Sequence, residues 1–317
     1  MSEQFESILQ IFPVHIRKQA GQAFGQLPLL EEIRIRVGNP MELSEGEHCY
    51  YLRERQNIHE KERVYTQERA QAYIVTEQDM QELVTFLSSY SPYAFVEEIR
   101  NGYLTLEGGH RVGLAGQVRM EGTQVADIAY IRFVNIRVAR EHKGCAKELV
   151  TQISQGKTVY NTLLLSPPGV GKSTCLRDCI RQLSDTGICI GLVDERSEIA
   201  ACHMGVPQND VGCCTDVMDR CSKPAGMQML LRSMSPKVIA VDELGGQEDF
   251  EAVEQAFHCG CKILGTIHAG SIQELNEKKE LHKWIESGWF ERYVLLERDA
   301  SGRRSFHVYN ERLEQLC

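Results

Sequence analysis

The 317-residue chain lacks any apolar run near the roughly 18 residues a membrane-crossing helix needs, so no such helix is expected. Its opening stretch, MSEQFESILQIFP, has acids and no basic region ahead of its apolar residues, so no signal peptide is expected. No C-x-x-C pair occurs among its 12 cysteines. Closed zinc sites usually show such a pair, and disulfide frameworks belong to exported chains. Free thiols in a reducing cytoplasm are therefore expected. Cys175, Cys179, Cys259 and Cys261 alternate with apolar residues and read as core. The group Cys202, His203, Cys213, Cys214 and Cys221 reads as small, half-buried thiols, with metal or redox chemistry as the alternative. Runs of Lys and Arg are also missing and the net charge is -9, which argues against a broad nucleic-acid surface. No internal repeat is visible.

What is present is ordinary globular material, 42% apolar and 25% charged, in a length that suggests about two domains. The first half mixes α and β signals. EEIRIRVG alternates, with Ile33, Ile35 and Val37 on one face, and Gly38-Asn39-Pro40 ends it. Residues 53–69 are charged without an apolar stripe and read as a solvated loop or hairpin face. TEQDMQELVTFLSSYS reads as a helix capped by Thr76, with Asp79 in its first turn and Met80, Leu83, Val84 and Leu87 as its stripe. Asn101-Gly102 and Gly108-Gly109 mark turns between short strands, and a β-rich stretch with Arg132, Arg137 and Arg140 follows. Polar residues 141–148 suggest a boundary near 145.

Beyond it the rhythm changes. NTLLLSPPG, ICIGLVD, KVIAVDE and CKILGTIH are short, continuous apolar strands alternating with helices, the sign of a parallel sheet covered on both faces. SIQELNEKKELHKWIES reads as a helix with Ser271 and Glu274 as a capping box, and RYVLLERDASGRRSFHVYN as a hairpin. The expected fold is α/β: a P-loop NTPase domain with a parallel sheet over 146–317, preceded by a smaller α+β N-terminal domain over 1–145.

Ligands of open parallel sheets bind at the carboxyl ends of the strands, so the strand-end residues carry the functional reading. After LLL comes Ser166-Pro167-Pro168-Gly169-Val170-Gly171-Lys172-Ser173-Thr174. It matches G-x-x-x-x-G-K-[ST] except for Ser166 in place of the first glycine. The two glycines let backbone N–H groups wrap a phosphate, the helix that follows points its positive end at the anion, Lys172 reaches the outer phosphates, and Ser173 can ligate Mg2+. After VIAV come Asp242, placed to hold the metal, and Glu243, placed to orient or deprotonate water. After IGLV come Asp194 and Glu195, two acids that would crowd a phosphate site without a cation, or else a helix-start cluster. His268 ends the third core strand and can report the γ-phosphate.

This order of motifs after an α+β domain resembles the hexameric ATPases of type II and type IV secretion systems, whose nucleotide domain is RecA-like. LSPPGVGKST, VDERSEIA, VDELGG and NIRVAR resemble more closely the stage III sporulation protein AA family of endospore-forming bacteria. The resemblance covers most of the chain and is most specific over 94–270. It implies a cytoplasmic, ring-forming ATPase that takes ATP and Mg2+ and powers a secretion-like channel complex through membrane-embedded partner proteins, with no direct nucleic-acid partner. By the same resemblance, Glu195 falls in an aspartate box as a rival to Glu243, and N-terminal arginines complete the site of a neighbouring subunit. The candidates are Arg111, Arg132, Arg137 and Arg140; such a residue is worth roughly 10³–10⁵ in rate. Two alternatives stay open: a nucleic-acid translocase on the same core, and a nucleotide-gated assembly scaffold with little turnover.

Overall fold

The computed structural model describes residues 5–54, 63–89, 102–277, 279–298 and 304–316. Asn101 and residues 55–62 of the charged stretch lie outside them. The chain divides into two compact units, Met1–Arg140 and Glu141–Cys317. Residues 141–146 go with the second unit because they are tied into it. The N–H groups of Gly144 and Ala146 donate to the Asp178 carboxylate at 3.0 and 2.8 Å, and Lys143 pairs with Asp210 at 2.6 Å.

The first unit holds helices α1 (Glu6–Gln10), α2 (Val14–Gln26) and α3 (Glu77–Ser89). Its strands are β1 (Glu32–Arg36), β2 (Glu42–Glu45), β3 (His48–Leu52), β4 (Tyr65–Thr66), β5 (Tyr103–Thr105), β6 (Arg111–Glu121) and β7 (Gln124–Arg137). They form one antiparallel sheet in the order β4-β3-β2-β1-β7-β6-β5. As the alternation in EEIRIRVG requires, Ile33 and Ile35 are buried, packed with Phe12, Phe24, Met80, Leu83 and Leu87. The α3 cap forms as read: Asp79 N–H donates to the Thr76 hydroxyl, and Thr76 N–H donates back to the Asp79 carboxylate at 2.7 Å. Strands β6 and β7 are longer than the turn spacing suggested, because their hairpin continues past the sheet with irregular register after Ala115.

The second unit opens with α4 (Lys147–Ile153) and a small ribbon, β8 (Ser154–Gln155) and β9 (Thr158–Val159). Its main strands are β10 (Thr162–Ser166), β11 (Ile190–Asp194), β12 (Thr215–Asp219), β13 (Val238–Val241), β14 (Lys262–His268), β15 (Arg292–Arg298) and β16 (Arg304–Tyr309). Its other helices are α5 (Lys172–Asp185), α6 (Lys223–Ser233), α7 (Gln247–His258), α8 (Ile272–Glu277) and α9 (Lys279–Glu286). The sheet order is β12-β11-β13-β14-β10-β15-β16, parallel except for the last pair. Continuous apolar strands are needed because both faces are covered. Leu164, Leu192, Ala240 and Leu264 pack toward Leu149, Leu176 and Ile180, while Leu163, Val193, Ile239 and Ile263 pack toward Leu230, Phe250, Val253 and Trp284. The chain leaves β10 through α5 and crosses over β14 and β13 to reach β11, so the end of β10 lies where the winding reverses.

Among the described residues no helix is long and apolar enough to cross a membrane. The described cysteines are free thiols. Cys175, Cys179 and Cys261 are buried as expected, but Cys259 is exposed, because it caps the end of α7 instead of entering β14. No group of three or more potential metal ligands from His, Cys, Asp and Glu occurs among the described residues.

An aromatic cluster closes the second face: Trp284 meets Phe250 at 4.6 Å and Phe290 at 5.1 Å between ring centroids. Trp284→Ala is expected to cost about 3–5 kcal/mol, read as a fall in the urea midpoint. Trp284→Phe, which keeps the ring contacts and removes a buried indole N–H lacking a partner among the described residues, is expected to cost less than half of that.

Candidate active site

Strands β13, β14 and β10 lie side by side; β10 and β14 end together, and β13 ends three residues short of them, which sets Asp242 beside Thr266. Ser166 pairs with His268 across β10 and β14, and Val241 pairs with Gly265 across β13 and β14. Side chains that follow these ends therefore converge.

The loop Pro167–Gly171 leaves β10 through exposed Pro167, Pro168 and Gly169. Gly169 and Gly171 have φ of +80° and +104°, a region closed to most side chains, so the turn into α5 depends on both. Ser166 is fully buried and its hydroxyl donates to the Pro167 carbonyl at 2.8 Å, which fits a residue that shapes the loop from below. Val170 and Thr174 present carbonyls to Arg298 and to the Cys145 thiol.

Lys172 and Ser173 begin α5. The Lys172 ammonium, 6% exposed, donates to the Ser166 carbonyl at 3.4 Å and to His268 Nδ1 at 2.9 Å. An ammonium can only donate, so Nδ1 accepts and the neutral ring carries its proton on Nε2. His268 Nε2 then donates to Glu243 Oε1 at 3.0 Å, and Arg196 holds the other carboxylate oxygen at 2.8 Å. Burial alone would raise the Glu243 pKa. The His268 hydrogen bond and the charges of Arg196 and Lys172 outweigh it and hold the carboxyl below its usual range.

Ser173 Oγ donates to Asp242 Oδ2 at 2.7 Å. Thr266, fully buried on β14, donates its hydroxyl to the other Asp242 oxygen and accepts the Glu243 N–H at 2.8 Å. Glu243 has φ +53°, unusual for a glutamate, and this bond helps hold it there. Burial pushes the Asp242 carboxyl up, more than the two hydroxyl bonds pull it down, and the Glu243 and Glu198 charges add to the rise. A hard cation would relieve that. A serine hydroxyl beside a carboxylate supplies only oxygen donors and few of them, which suits Mg2+, an ion that keeps water and phosphate oxygens in its shell.

The acids after β11 are engaged elsewhere. Asp194, 2% exposed, accepts the N–H groups of Glu198, Ile199 and Ala200 at 2.9, 3.0 and 2.8 Å. It is the staple of its loop. Glu195 pairs with Lys223 at 2.5 Å. The arginine next to them, Arg196, is the residue of this stretch that reaches Glu243. Within the first unit, Arg111 lies over the Tyr103 ring at 3.6 Å, and Arg137 and Arg132 pair with Glu32 and Glu77. Arg140 donates to the carbonyls of Pro28 and Leu30.

Thr266 and Arg196 are the contributors that motif reading passed over. Thr266 had a signal: it lies two residues before His268, hence on the same face of the strand. Arg196 had none, since an arginine beside two acids reads as a local ion pair.

A parallel sheet wound in this order, with a lysine, a hydroxyl, two acids and a histidine gathered at one edge, defines the fold of secretion-type P-loop ATPases. Solved structures agree on that fold. The pilus retraction motor PilT with bound ADP matches with a TM-score of 0.60 and 16% identity, covering 95% of this chain and 82% of that one. The Legionella pneumophila ATPase DotB matches with a TM-score of 0.57 and 16% identity, covering 94% and 80%. The family is narrower than the fold: residues 2–316 match the family described as "Sporulation stage III, protein AA", and the chain belongs to it. It is 40% identical over 288 residues to Stage III sporulation protein AA of Bacillus subtilis (strain 168), covering 89% of this chain and 87% of that protein.

Burial raises the Asp194 pKa from 3.8 to about 6, against the pull of its N–H donors. A raised carboxyl favours the folded state below the unfolded pKa and loses that contribution as pH climbs through the folded one. Asp194→Asn removes the titration. Between pH 4 and 7 wild type is expected to lose about 2–3 kcal/mol relative to Asp194→Asn, measured by urea unfolding at each pH.

Proposed function

We propose that this chain is a Mg2+-dependent ATPase motor that assembles with copies of itself into a ring, expected to be hexameric. It sits at the cytoplasmic face of membrane-embedded partner proteins and energises a secretion-like complex during sporulation. The observation that carries this reading is the joined pair of contacts Lys172–His268–Glu243 and Ser173–Asp242 at three adjacent strand ends. The ATPase and the ADP-bound retraction motor that share its fold, and the sporulation relative, supply its context.

The residues divide the work as follows. The loop amides around Gly169 and Gly171 and the Lys172 ammonium hold the outer phosphates of ATP. Ser173 and Asp242 would hold Mg2+, which when bound neutralises charge on those phosphates. Glu243 orients the water whose oxygen bonds to the γ-phosphorus as the bond to the bridging oxygen breaks, leaving ADP and phosphate. A carboxylate kept ionised by Arg196 and His268 is a weak base, so alignment of the water outweighs full proton removal. Glu195, occupied by Lys223, is the lesser contributor. When Lys172 turns to phosphate it leaves His268 Nδ1, so the same ring that steadies Glu243 registers whether phosphate is present. The trans arginines of the ring remain Arg111 and Arg137, with Arg132 and Arg140 beside them.

Wild type with ATP and Mg2+ is expected to release phosphate, and Lys172→Ala to abolish release together with nucleotide binding. Glu243→Gln is expected to lower kcat at least 100-fold while ADP still binds. Thr266→Val should lower kcat about tenfold or more with binding kept, whereas Thr266→Ser, which retains the hydroxyl, should stay within about threefold. A Lys172→Ala variant with wild-type turnover would end the reading.

A further inference from the structure

The hairpin β15–β16 brings two arginines against the phosphate loop. Arg298 and Arg304 are cross-strand partners at the end of the hairpin. Arg298 Nε donates to the Val170 carbonyl at 3.3 Å. Arg304 lies against Gly171: a Cβ built there would stand 2.5 Å from its Nη2 and 2.7 Å from its Cζ. Among the described residues neither guanidinium meets a carboxylate, although the chain is rich in acids. Two cations with no carboxylate partner among the described residues, held beside a loop that wraps phosphate, are arranged for an anionic ligand.

Behind Arg304 opens a cavity of about 320 Å3. Its walls include Gly171 and Cys175 at the start of α5, Cys145 and Leu149 near α4, and Leu296 and Phe306 of the hairpin. This volume lies within the range of small-ligand pockets, which run from about 300 Å3 upward. Lys147, Glu148, Arg304 and Ser305 add polar and charged groups to these apolar walls. The cavity shares Gly171 with the phosphate loop, so it borders the place where the phosphates of a ligand on the loop would lie.

We propose that this cavity is the subsite for the nucleoside half of the nucleotide. Arg304 is the specificity-determining contact, its guanidinium stacking on the base, and Arg298 steadies the loop beneath the phosphates. The proposal rests on the nucleotide reading above and adds where the base goes and which side chains read it. These arginines come from the same unit as the loop, so this contact needs no neighbouring subunit.

Cys145 offers a direct readout, since its thiol is exposed and lines the cavity. Partial desolvation of the thiol pushes its pKa up to about 11, so alkylation is slow and can be timed. The full chain is treated with N-ethylmaleimide at pH 8, alone, with Mg-ADP, or with Mg-tripolyphosphate, and each cysteine is quantified by mass spectrometry. Mg-ADP is expected to slow Cys145 labelling at least fivefold, with Cys49 and Cys189 unchanged, and tripolyphosphate to leave Cys145 unprotected. Arg304→Ala should weaken Mg-ADP binding at least tenfold by calorimetry and tripolyphosphate binding only about threefold, the share due to charge alone, and Arg304→Lys should restore tripolyphosphate binding but not Mg-ADP binding. If Mg-ADP binds wild type and phosphate is released, but Cys145 reacts at the same rate and Arg304→Ala binds normally, the subsite is wrong and the ATPase reading stands. If wild type binds no Mg-ADP at all, both fall.

Discussion

The 2.7 Å hydrogen bond between Ser173 and Asp242 closes the site, because it ties the start of α5 to the end of β13. Those elements lie far apart in the chain and meet only because β13 and β14 insert between β10 and β11 in the sheet. The bond depends on register: parallel pairing ends β13 at Val241 opposite Gly265, so Asp242 falls beside Thr266 and within reach of the helix that follows β10. Burial of both sheet faces keeps that register, since a slip of one residue would turn Leu163 and Leu165 to the wrong core. Core packing and active-site geometry are thus one constraint seen from two ends.

Strand β14 shows how tightly this constraint is used. Thr266 and His268 share a face of the strand and reach different partners, Asp242 and the Glu243 backbone for one, Lys172 and the Glu243 carboxylate for the other. A small displacement of β14 would alter Asp242 and Glu243 together. A buried hydroxyl that donates one bond and accepts another makes that coupling tight, because either bond is costly to lose away from water.

The features legible in the sequence were those with a fixed period or a fixed spacing. The alternation of Ile33 and Ile35, the Thr76–Asp79 cap and the four apolar strands of the second unit are local signals, and the structure repeats them. Ser271 does accept the Glu274 N–H at 3.1 Å, but the Glu274 carboxylate turns back to Gly270 instead of Ser271, one residue from the expected box. Contacts that depend on sheet order were hidden. Asp194 and Glu195 read alike as strand-end acids. One is consumed by three backbone N–H groups and the other by Lys223, a residue on α6 whose proximity no local pattern reveals. Arg298 and Arg304 lie in a hairpin that reads as a plain β-ribbon, and only the placement of β15 next to β10 brings them to the loop.

That placement changes where positive charge comes from in this site. Motif reading looks for arginines supplied by another subunit, since the phosphate loop itself holds one lysine. Here the loop already rests between a lysine below and two arginines beside it, all within the second unit. Cations held in one unit contribute to ground-state binding whether or not a neighbour is present. An arginine that arrives only on assembly is free to act chiefly on the transition state, where charge on the transferring phosphoryl group is greatest. In the proposed ring, that separation would let nucleotide binding precede ring closure and make turnover depend on assembly.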